Sequence, residues 1–240
     1  PRTIWIMVPH KVVDEVLKEI TTLLESGDTI IDGGNSPYKE SMRRHDELKE
    51  KGINFLDVGV SGGPSGARNG ACLMVGGEKE LFEKYEEFFG DLSVEGGHAY
   101  MGTSGAGHFV KMVHNGIEYG MMGAIAQGMN VLESNKTSKK LKVNLKESAK
   151  VYAHGSIIQS KLMSWLYDSI SKERYLDQIS CEVPKGETEK EMLKLEKIGD
   201  MSILKEARRM RKRSRNGTVC GDFIAAMRNQ FGGHKFNIKK

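Results

Sequence analysis

Four polar residues recur with helical spacing in one segment of the 240-residue chain. Lys111, His114, Asn115 and Glu118 stand at positions i, i+3, i+4 and i+7, so a helix would place them on one face. Lys111 and Glu118 would then lie two turns apart, about 10 Å along the helix axis, which suits a substrate of about five or six carbons. A lysine driven toward neutrality by burial can accept a proton from a hydroxyl group, and a carboxylic acid can return a proton to carbon. The spacing therefore indicates acid–base chemistry.

A solvated polar face with one or two i,i+4 pairs is the alternative interpretation, because charged faces are common on helices. Two features weigh against it. Gly116 falls in the middle of the predicted helix, where glycine costs up to about 1 kcal/mol relative to alanine. The flanking positions are apolar, which predicts a helix buried all round, and buried Lys, His and Glu side chains need partners or a function.

Two glycine-rich segments each follow a predicted strand. Residues 32–36 read DGGNS, and residues 61–68 read SGGPSGAR. Ligands of doubly wound sheets bind outside the carboxyl ends of the strands, and successive backbone N–H groups in the second segment could bind a carboxylate or a phosphate. An ordinary turn for the first segment and a flexible loop for the second remain alternatives.

Strand and helix patterns alternate over residues 1–101. Strand patterns occupy residues 3–8, 28–32, 54–60, 72–75 and 98–101, and helical patterns occupy residues 12–24, 38–51 and 79–89. Such alternation predicts a mostly parallel sheet covered on both faces. Farther along, helical patterns occupy residues 107–133, 145–171 and 187–213, with a polar surface loop at 134–142. We predict an α/β fold, with a doubly wound domain over residues 1–104 and an all-α domain built on one long helix over residues 105–240.

Charge and hydropathy bear on whether the protein binds nucleic acid or a membrane. The formal net charge is +4, and no apolar run approaches the ~20 residues that a membrane helix needs. The basic run at 208–215 has three interpretations: a solvated helix face, a nucleic-acid patch or a phosphate clamp. Since no aromatic residues interleave the run, nucleic acid is the weaker of the two specific interpretations. We expect neither nucleic acid nor a membrane as a partner.

The three cysteines, Cys72, Cys181 and Cys220, are scattered along the chain. Their number is odd, and no pair has the spacing of metal ligands, so the sequence predicts neither a disulfide framework nor a metal site. Unpaired cysteines fit a reducing cytoplasm, which is the predicted location.

Five segments taken in chain order resemble one known family. They are residues 31–36 (IDGGNS), 57–63 (DVGVSGG), 72–77 (CLMVGG), the helix at 105–122 and the tail at 228–234. Together they resemble the 6-phosphogluconate dehydrogenases, in particular the shorter, NAD-preferring decarboxylating branch. The resemblance spans nearly the whole chain. It implies that C3 of 6-phosphogluconate is oxidised by hydride transfer to NAD or NADP, and that loss of CO2 then gives ribulose 5-phosphate.

The resemblance also implies roles for individual residues. Lys111 matches the general base for the C3 hydroxyl, and Glu118 matches the acid that protonates C1 of the enediol. The implied substrate contacts are Asn35, Ser61, Gly62, Gly63, His114, Asn115, Tyr119, Arg211, Arg228 and His234. Among these, Arg211 matches a phosphate-binding arginine. Arg228 and His234 match a tail pair that reaches into a neighbouring subunit in relatives, which implies a homo-oligomer. The resemblance places four residues near the nicotinamide ring of the cofactor: Val8, Pro9, His10 and Asn35.

The resemblance fails in three places. The family pattern opens with about 60–70 residues that carry the glycine fingerprint and the acidic ribose ligand; they are absent here, so we expect a fragment of a longer protein or a remnant. The relatives' Gly-Arg-Trp-Thr or Gly-Lys-Trp-Thr reads ETEKE at 187–191, which leaves Lys190 as the candidate for a basic substrate contact. A Val-Pro-x-Pro element is replaced by GDMSI at 199–203.

Three functions are consistent with these observations. The first is a decarboxylating 6-phosphogluconate dehydrogenase, with C-terminal parts of a Rossmann-like dinucleotide-binding domain followed by a substrate and dimerisation domain. The second is a non-catalytic sugar-phosphate-binding or oligomerisation module derived from that enzyme. The third is another member of the wider β-hydroxyacid dehydrogenase group, which typically lacks the Glu-Tyr pair at 118–119 and the Arg–His tail.

Overall fold

The computed structural model describes residues 1–186 and 188–238, and the chain divides into two compact units, Pro1–His114 and Asn115–Lys240. The first unit holds a five-stranded sheet. Its strands are β1 (Thr3–Ile6), β2 (Thr29–Asp32), β3 (Asn54–Ser61), β4 (Ala71–Gly76) and β5 (Ser93–Gly102). Its helices are α1 (Val13–Ile20, followed by a 3-10 turn at Thr21–Leu23), α2 (Tyr38–Lys49), α3 (Gly63–Asn69), α4 (Lys79–Lys84) and α5 (Glu86–Leu92).

The strands lie in the order β1-β2-β3-β4-β5. β1, β2 and β3 are parallel, β4 is antiparallel to β3, and β5 is parallel to β4. The prediction of a mostly parallel sheet is confirmed, with one antiparallel junction that the strand patterns did not indicate. β2 and the middle of β3 are buried continuously, which is typical of parallel strands covered on both faces.

Two apolar clusters lie on opposite faces of this sheet. One cluster contains Ile30 of β2 and Phe55 of β3, together with residues of α1 and α2. The other cluster contains Ile31 of β2 and Leu56 of β3, together with residues of α4 and α5. Because successive strand residues point to opposite faces, each strand contributes side chains to both clusters. The doubly wound α/β prediction is therefore confirmed.

Three predicted elements of the first unit need correction. The helix predicted at 79–89 is two helices, because the backbone at Tyr85 (φ −106°, ψ 11°) leaves the helical region between α4 and α5. The last strand begins at Ser93. The glycine segment after β3 is a turn that leads directly into α3, with proline in the first turn of that helix, where a missing N–H costs nothing.

The second unit is helical. The long helix α6 (Ala106–Ser134) begins in the first unit and continues into the second, followed by α7 (Lys136–Lys140), α8 (Leu145–Tyr152), α9 (Lys161–Ser171), α10 (Tyr175–Gln178), α11 (Glu189–Leu195), α12 (Ser202–Arg215) and α13 (Asp222–Gly232). On α6, Met122, Ala126 and Met129 form an apolar stripe that packs into a core with α8, α9 and α13. The predicted long helix is confirmed. It is not buried all round, because Ile117 and Met121 are exposed.

Close packing explains Gly116 and Gly123 of α6 in this unit. A Cβ atom at Gly116 would lie 2.6 Å from the Leu195 side chain, and one at Gly123 would lie 3.3 Å from the Ala207 Cβ. α6 therefore approaches α11 and α12 at positions without side chains. No helix in the described part of the chain is long and apolar enough to cross a membrane.

Local capping interrupts the helices that were predicted as continuous. The helix predicted at 145–171 breaks between α8 and α9, where Gly155 has φ 77° and the Ser160 hydroxyl caps α9 by accepting from the Met163 N–H. The predicted loop at 134–142 contains α7, which the Asn135 side chain caps in the same way.

The helix predicted at 187–213 is also two helices, α11 and α12, separated by residues 196–201 around Gly199. Its first residue, Glu187, lies outside the described residues.

Substitution of two glycines of α6 tests the close approach of this helix to the sheet. A Cβ at Gly107 would lie 2.3 Å from the Met74 carbonyl oxygen, whereas a Cβ at Gly128 has nothing within 4 Å. We expect Gly107→Ala to lower the free energy of unfolding by about 1–3 kcal/mol through overpacking. Gly128→Ala is the matched control and should raise it by up to about 1 kcal/mol. Urea unfolding measures both, and equal stabilities for the two variants would contradict the packing described here.

Candidate active site

Alternate residues of β3 meet every third residue of α6. The first pair is Asp57, whose carboxylate accepts a 2.8 Å hydrogen bond from the His108 backbone N–H. The second is Gly59, where a Cβ would lie only 2.4 Å from the Lys111 Cβ. Because side chains two apart on a strand point to the same face, one face of β3 fixes successive turns of α6.

The third pair is Ser61 and His114. Lys111 contacts the same histidine from one turn earlier on α6. The Ser61 hydroxyl lies 3.2 Å from His114 Nε2, and Lys111 Nζ lies 3.4 Å from His114 Nδ1. All three residues are partly exposed. A neutral imidazole that accepts at Nδ1 and donates at Nε2 would satisfy both contacts. The structure thus brings the candidate base together with two of the candidate substrate contacts.

Gly62 and Gly63 follow Ser61 at the carboxyl end of β3. Both have positive φ, 124° and 56°, which disfavours residues with a Cβ. A Cβ at Gly62 would also lie 2.9 Å from the Gly66 Cα. The turn therefore depends on glycine. Because Gly62 is partly exposed and Gly63 is exposed, the backbone there is open to close approach by a ligand.

Buried polar contacts hold the turn after β2. The Asp32 carboxylate accepts hydrogen bonds from the Gly34 N–H (3.0 Å) and the Ser36 hydroxyl (2.7 Å). This arrangement fixes the backbone on either side of Asn35, whose side chain is exposed. The predicted contact residue Asn35 therefore stands on a rigid turn at the carboxyl end of a strand.

Arg44 supports the same turn from α2. Its side chain is only 2% exposed, and it contacts the fully buried Asp32 at 3.3 Å and Asp14 at 2.8 Å. The hydrogen bond from Arg44 holds the pKa of the Asp14 carboxyl below its ordinary value. Sequence reasoning missed Arg44, because nothing in a charged helical pattern singles out the one arginine that turns inward.

His108 joins this turn to α6. Its buried imidazole lies 2.7 Å from the Ser41 hydroxyl through Nδ1 and 3.1 Å from the Gly34 carbonyl oxygen through Nε2. Nε2 must therefore carry a proton that it donates to the carbonyl. This residue was also missed, since its partners lie 67 and 74 residues away in the chain.

The turn after β1 lies against the turn after β2. A Cβ at Gly34 would lie 3.0 Å from the Val8 carbonyl oxygen. Around this contact Pro9 and Asn35 are exposed, and Val8 and His10 are partly exposed. An accessible polar edge at the carboxyl ends of two parallel strands fits one end of a dinucleotide, so the residues that are present suit the nicotinamide end of such a cofactor.

Two buried arginines form a second cluster, within the second unit. The Arg211 guanidinium on α12 lies 3.5 Å from the centre of the Tyr119 ring, with its Nη2 3.4 Å from the Met122 sulfur. On α13, the Arg228 guanidinium donates to the Pro184 carbonyl oxygen at 2.7 Å. Burial lowers the pKa of Arg211 to about 10, and the charge of Arg228 acts in the same direction. Burial likewise lowers the pKa of Arg228.

The remaining basic residues of α12 divide into two groups. Arg208 contacts Glu196 at 2.6 Å, and Arg215 contacts Glu189 at 2.8 Å, so both are held in ion pairs. The exposed basic residues are Lys205, Arg209, Lys212 and Arg213. Arg211 is buried and Arg208 and Arg215 are ion-paired, so the exposed part of the run is Arg209, Lys212 and Arg213, spaced i, i+3 and i+4 on one face of α12.

The segment before α11 borders the arginine cluster. The Thr188 hydroxyl lies 3.0 Å from the Tyr119 hydroxyl. A Cβ at Gly186 would lie 3.2 Å from Arg228 Nη2. Lys190, the sequence candidate for a basic contact in this segment, is exposed.

The other predicted site residues divide between α6 and the tail. Asn115 is buried and Glu118 is partly exposed, both on α6. His234 is exposed and packs against the Phe231 ring, beyond the left-handed Gly233 that ends α13. The tail then returns along its own chain, where Ile238 pairs with Ile179.

Cys181 and Cys220 form a disulfide, so the expectation of no disulfide framework, drawn from the odd number and scattered positions of the cysteines, needs correction. The pair is 39 residues apart in the chain, and that spacing carried no signal. Cys72 is free and exposed. Asp222 joins the two cysteines as a group whose potential metal-ligand atoms all lie within 4.8 Å of one another; here the two sulfur atoms are bonded to each other.

Comparison with known proteins assigns the family. Residues 1–114 match the NAD binding domain of 6-phosphogluconate dehydrogenase, and residues 107–126 match that enzyme's C-terminal domain. YqeC of Bacillus subtilis (strain 168), named as a provisional 6-phosphogluconate dehydrogenase, is 45% identical over 242 residues, which cover 98% of this chain and 78% of YqeC. The chain belongs to the 6-phosphogluconate dehydrogenase family. The resemblance read from the sequence is thereby confirmed.

Other members of the 6-phosphogluconate dehydrogenase family are longer. The NAD(+)-dependent, decarboxylating enzyme of B. subtilis is 43% identical over 173 residues, which are 70% of this chain but 36% of that enzyme. The Plasmodium falciparum enzyme, solved in apo form and with its cofactor NADP+ and its substrate 6-phosphogluconate, superposes with a TM-score of 0.81 at 30% identity. That match covers all of this chain and 52% of the other.

A more distant structural match concerns the fold alone. The 3-hydroxyisobutyrate dehydrogenase of Mycobacterium tuberculosis gives a TM-score of 0.63 at 16% identity, over 95% of this chain. The fold is therefore shared with dehydrogenases of other hydroxy acids.

Proposed function

We propose that this family member carries out the acid–base steps of the oxidative decarboxylation of 6-phosphogluconate to ribulose 5-phosphate. The observation that carries the proposal is the contact series from Ser61 through His114 to Lys111, beside the glycine turn that ends β3. The names of relatives 43–45% identical support the same reaction.

In this mechanism Lys111 removes the proton of the C3 hydroxyl as C3 becomes a ketone. A bound NAD or NADP would supply the acceptor for the hydride that leaves C3. His114, held by Ser61, orients the Lys111 amine toward the hydroxyl. The resulting β-keto acid loses CO2, the electron pair of the broken C1–C2 bond forms the C2=C3 double bond, and Lys111 returns its proton to the C3 oxygen to give an enediol. Glu118 then donates a proton to the carbon that becomes C1 of ribulose 5-phosphate.

The arginine cluster supports a phosphorylated substrate. Arg211 and Arg228 are both buried, and burial lowers the pKa of each guanidinium. A bound phosphate would compensate these two charges, and its oxygens suit bidentate hydrogen bonds from guanidinium groups. Glu118 and Glu189 already offset part of this charge by raising the pKa of both arginines, but burial still lowers each pKa overall. A hydroxy acid without a phosphate would add no such compensation at the cluster, which favours 6-phosphogluconate over the substrates of other β-hydroxyacid dehydrogenases.

The nicotinamide end of the cofactor would be held by Val8, Pro9, His10 and Asn35. The glycine fingerprint for the pyrophosphate is not among these 240 residues, and the cofactor proposed here is NAD or NADP. A homo-oligomer remains a prediction from the family resemblance, and a cytoplasmic location remains a prediction from the number and positions of the cysteines.

Binding of 6-phosphogluconate tests the phosphate site. We expect saturable binding by calorimetry, weakened about 10- to 100-fold by Arg211→Ala, because hydrogen bonds to charged groups contribute about 1.5–3 kcal/mol. Arg209→Ala is the matched control, since Arg209 is exposed on the same helix. Equal losses for the two variants, or no binding by the folded wild type, would contradict the assignment.

The acid–base steps can be followed without a hydride acceptor. Ionised Glu118 can remove a C1 proton from ribulose 5-phosphate while protonated Lys111 gives a proton to the C2 carbonyl oxygen, which regenerates the enediol. Reprotonation in D2O then places deuterium at C1, so the exchange depends on both residues. Nuclear magnetic resonance measures this exchange. Binding of 6-phosphogluconate without exchange would favour the non-catalytic sugar-phosphate-binding module over the enzyme.

A further inference from the structure

Asp57 is a fully buried carboxylate in the middle of β3, between the apolar residues Leu56 and Val58. Its two oxygens accept hydrogen bonds from the backbone N–H groups of Gly105 (2.6 Å) and His108 (2.8 Å). These N–H groups belong to the start of α6, where helical N–H groups lack partners within the helix. A strand residue 48 to 51 positions earlier in the chain thus caps this helix.

The surrounding backbone leaves room for this contact and little else. A Cβ at Gly76 would lie 2.5 Å from the Gly107 nitrogen and 2.6 Å from Asp57 Oδ1. Both glycines therefore let the start of α6 reach the carboxylate. A buried carboxylate at a helix N-terminus is stabilised by charge-assisted hydrogen bonds and by the helix dipole, so the contact is strong as well as tightly confined.

The same contact sets where the candidate base stands. Two residues along β3 from Asp57, Gly59 packs against the Lys111 stem, and two residues farther Ser61 contacts His114. A shift of the first turn of α6 along β3 would displace Lys111 and His114 from Ser61 together. The turn after β2 depends on this position as well, because His108 reaches the Gly34 carbonyl oxygen from the same turn of α6.

We propose that Asp57 is a positioning residue for the acid–base chemistry: by capping α6 at Gly105 and His108, its carboxylate fixes Lys111 and His114 relative to Ser61. This inference rests on the proposed function. Asp57 acts through α6 and does not touch the substrate. Neither the spacing of polar residues nor the family resemblance assigned it a role.

Asp57→Asn tests the proposal with little change of shape. The amide keeps one acceptor oxygen, but its NH2 group would face a backbone N–H donor, so one capping bond is lost. We expect the rate of deuterium exchange at C1 of ribulose 5-phosphate to fall about 10- to 100-fold, because a misplacement of about 1 Å has such an effect on catalysis. The dissociation constant for 6-phosphogluconate, which depends on Arg211, should change less than about threefold.

This split between rate and affinity separates positioning from a loss of stability. Unfolding would lower the exchange rate and the number of binding sites together, so both are measured well below the thermal midpoint. Asp91→Asn is the control, because Asp91 is an exposed carboxylate on α5. Gly59→Ala is a second variant that leaves Asp57 intact but pushes on Lys111; it should show the same split, and it keeps the test decisive if Asp57→Asn fails to fold.

The exchange and binding measurements test the role of Asp57 and the proposed function separately. A wild type that exchanges while Asp57→Asn and Gly59→Ala remain within twofold of it would overturn the role of Asp57 and leave the function standing. A folded wild type that neither binds nor exchanges would overturn the proposed function itself.

Discussion

Glu118→Gln is expected to slow deuterium exchange at C1 of ribulose 5-phosphate by about 100- to 10,000-fold, the range that general acid–base groups contribute. An amide cannot ionise, so it can neither remove the C1 proton nor return one. Binding of 6-phosphogluconate should persist, since its phosphate contacts are assigned to Arg211 and Arg228. Nuclear magnetic resonance follows the exchange, and calorimetry follows the binding.

The matched control is Glu147→Gln, on the exposed first turn of α8, which should exchange at the wild-type rate. Glu118 would lose its assignment if its glutamine variant also exchanged at that rate. A variant that lost binding and exchange together would instead indicate that Glu118 holds the substrate or the local fold, and the protonating group would have to be sought elsewhere on the chain.

Removal of the disulfide is expected to have the largest effect on stability. Cys181 and Cys220 close a loop with a sequence separation of 39, for which chain entropy predicts about 4 kcal/mol, and native disulfides typically contribute about 2–5 kcal/mol. We expect Cys181→Ser combined with Cys220→Ser to lower the free energy of unfolding by about that amount. Urea unfolding without reductant provides the measurement.

Cys72→Ser is the natural control for this experiment, because Cys72 is free and exposed; its stability should match that of the wild type. Thiol titration of the unfolded, unreduced protein should find one reactive cysteine. Three reactive thiols, together with wild-type stability for the double variant, would show that the bond does not form in the protein.

The sequence predicted those parts of the fold that rest on local patterns. The buried runs of β2 and β3 and the long apolar helix α6 were recognised, because burial on both faces leaves continuous apolar segments. The breaks around Gly155 and Gly199 were missed. Short capping motifs decide such breaks, and an apolar helical period that resumes a few residues later hides them.

The candidate site was predictable to a similar extent. Helical spacing alone put Lys111, His114 and Glu118 on one face, and the structure has them on one helix. The roles of Asp57 and His108 depend on partners 48 to 74 residues away. No local pattern encodes such a contact, and the disulfide escaped prediction for the same reason.

The single antiparallel junction of the sheet decides the direction in which α6 runs. In an all-parallel sheet, each strand ends at the ligand-binding edge and the following helix runs back, away from it. Because β4 and β5 are reversed, β5 ends with Gly102 level with Gly76 and thus with Asp57. α6 therefore begins beside Asp57 and runs along β3 toward the glycine turn at Gly62 and Gly63. One reversal of strand polarity thus places Lys111 near the carboxyl end of β3, where the proposed substrate site lies, which a regular strand–helix repeat would not do.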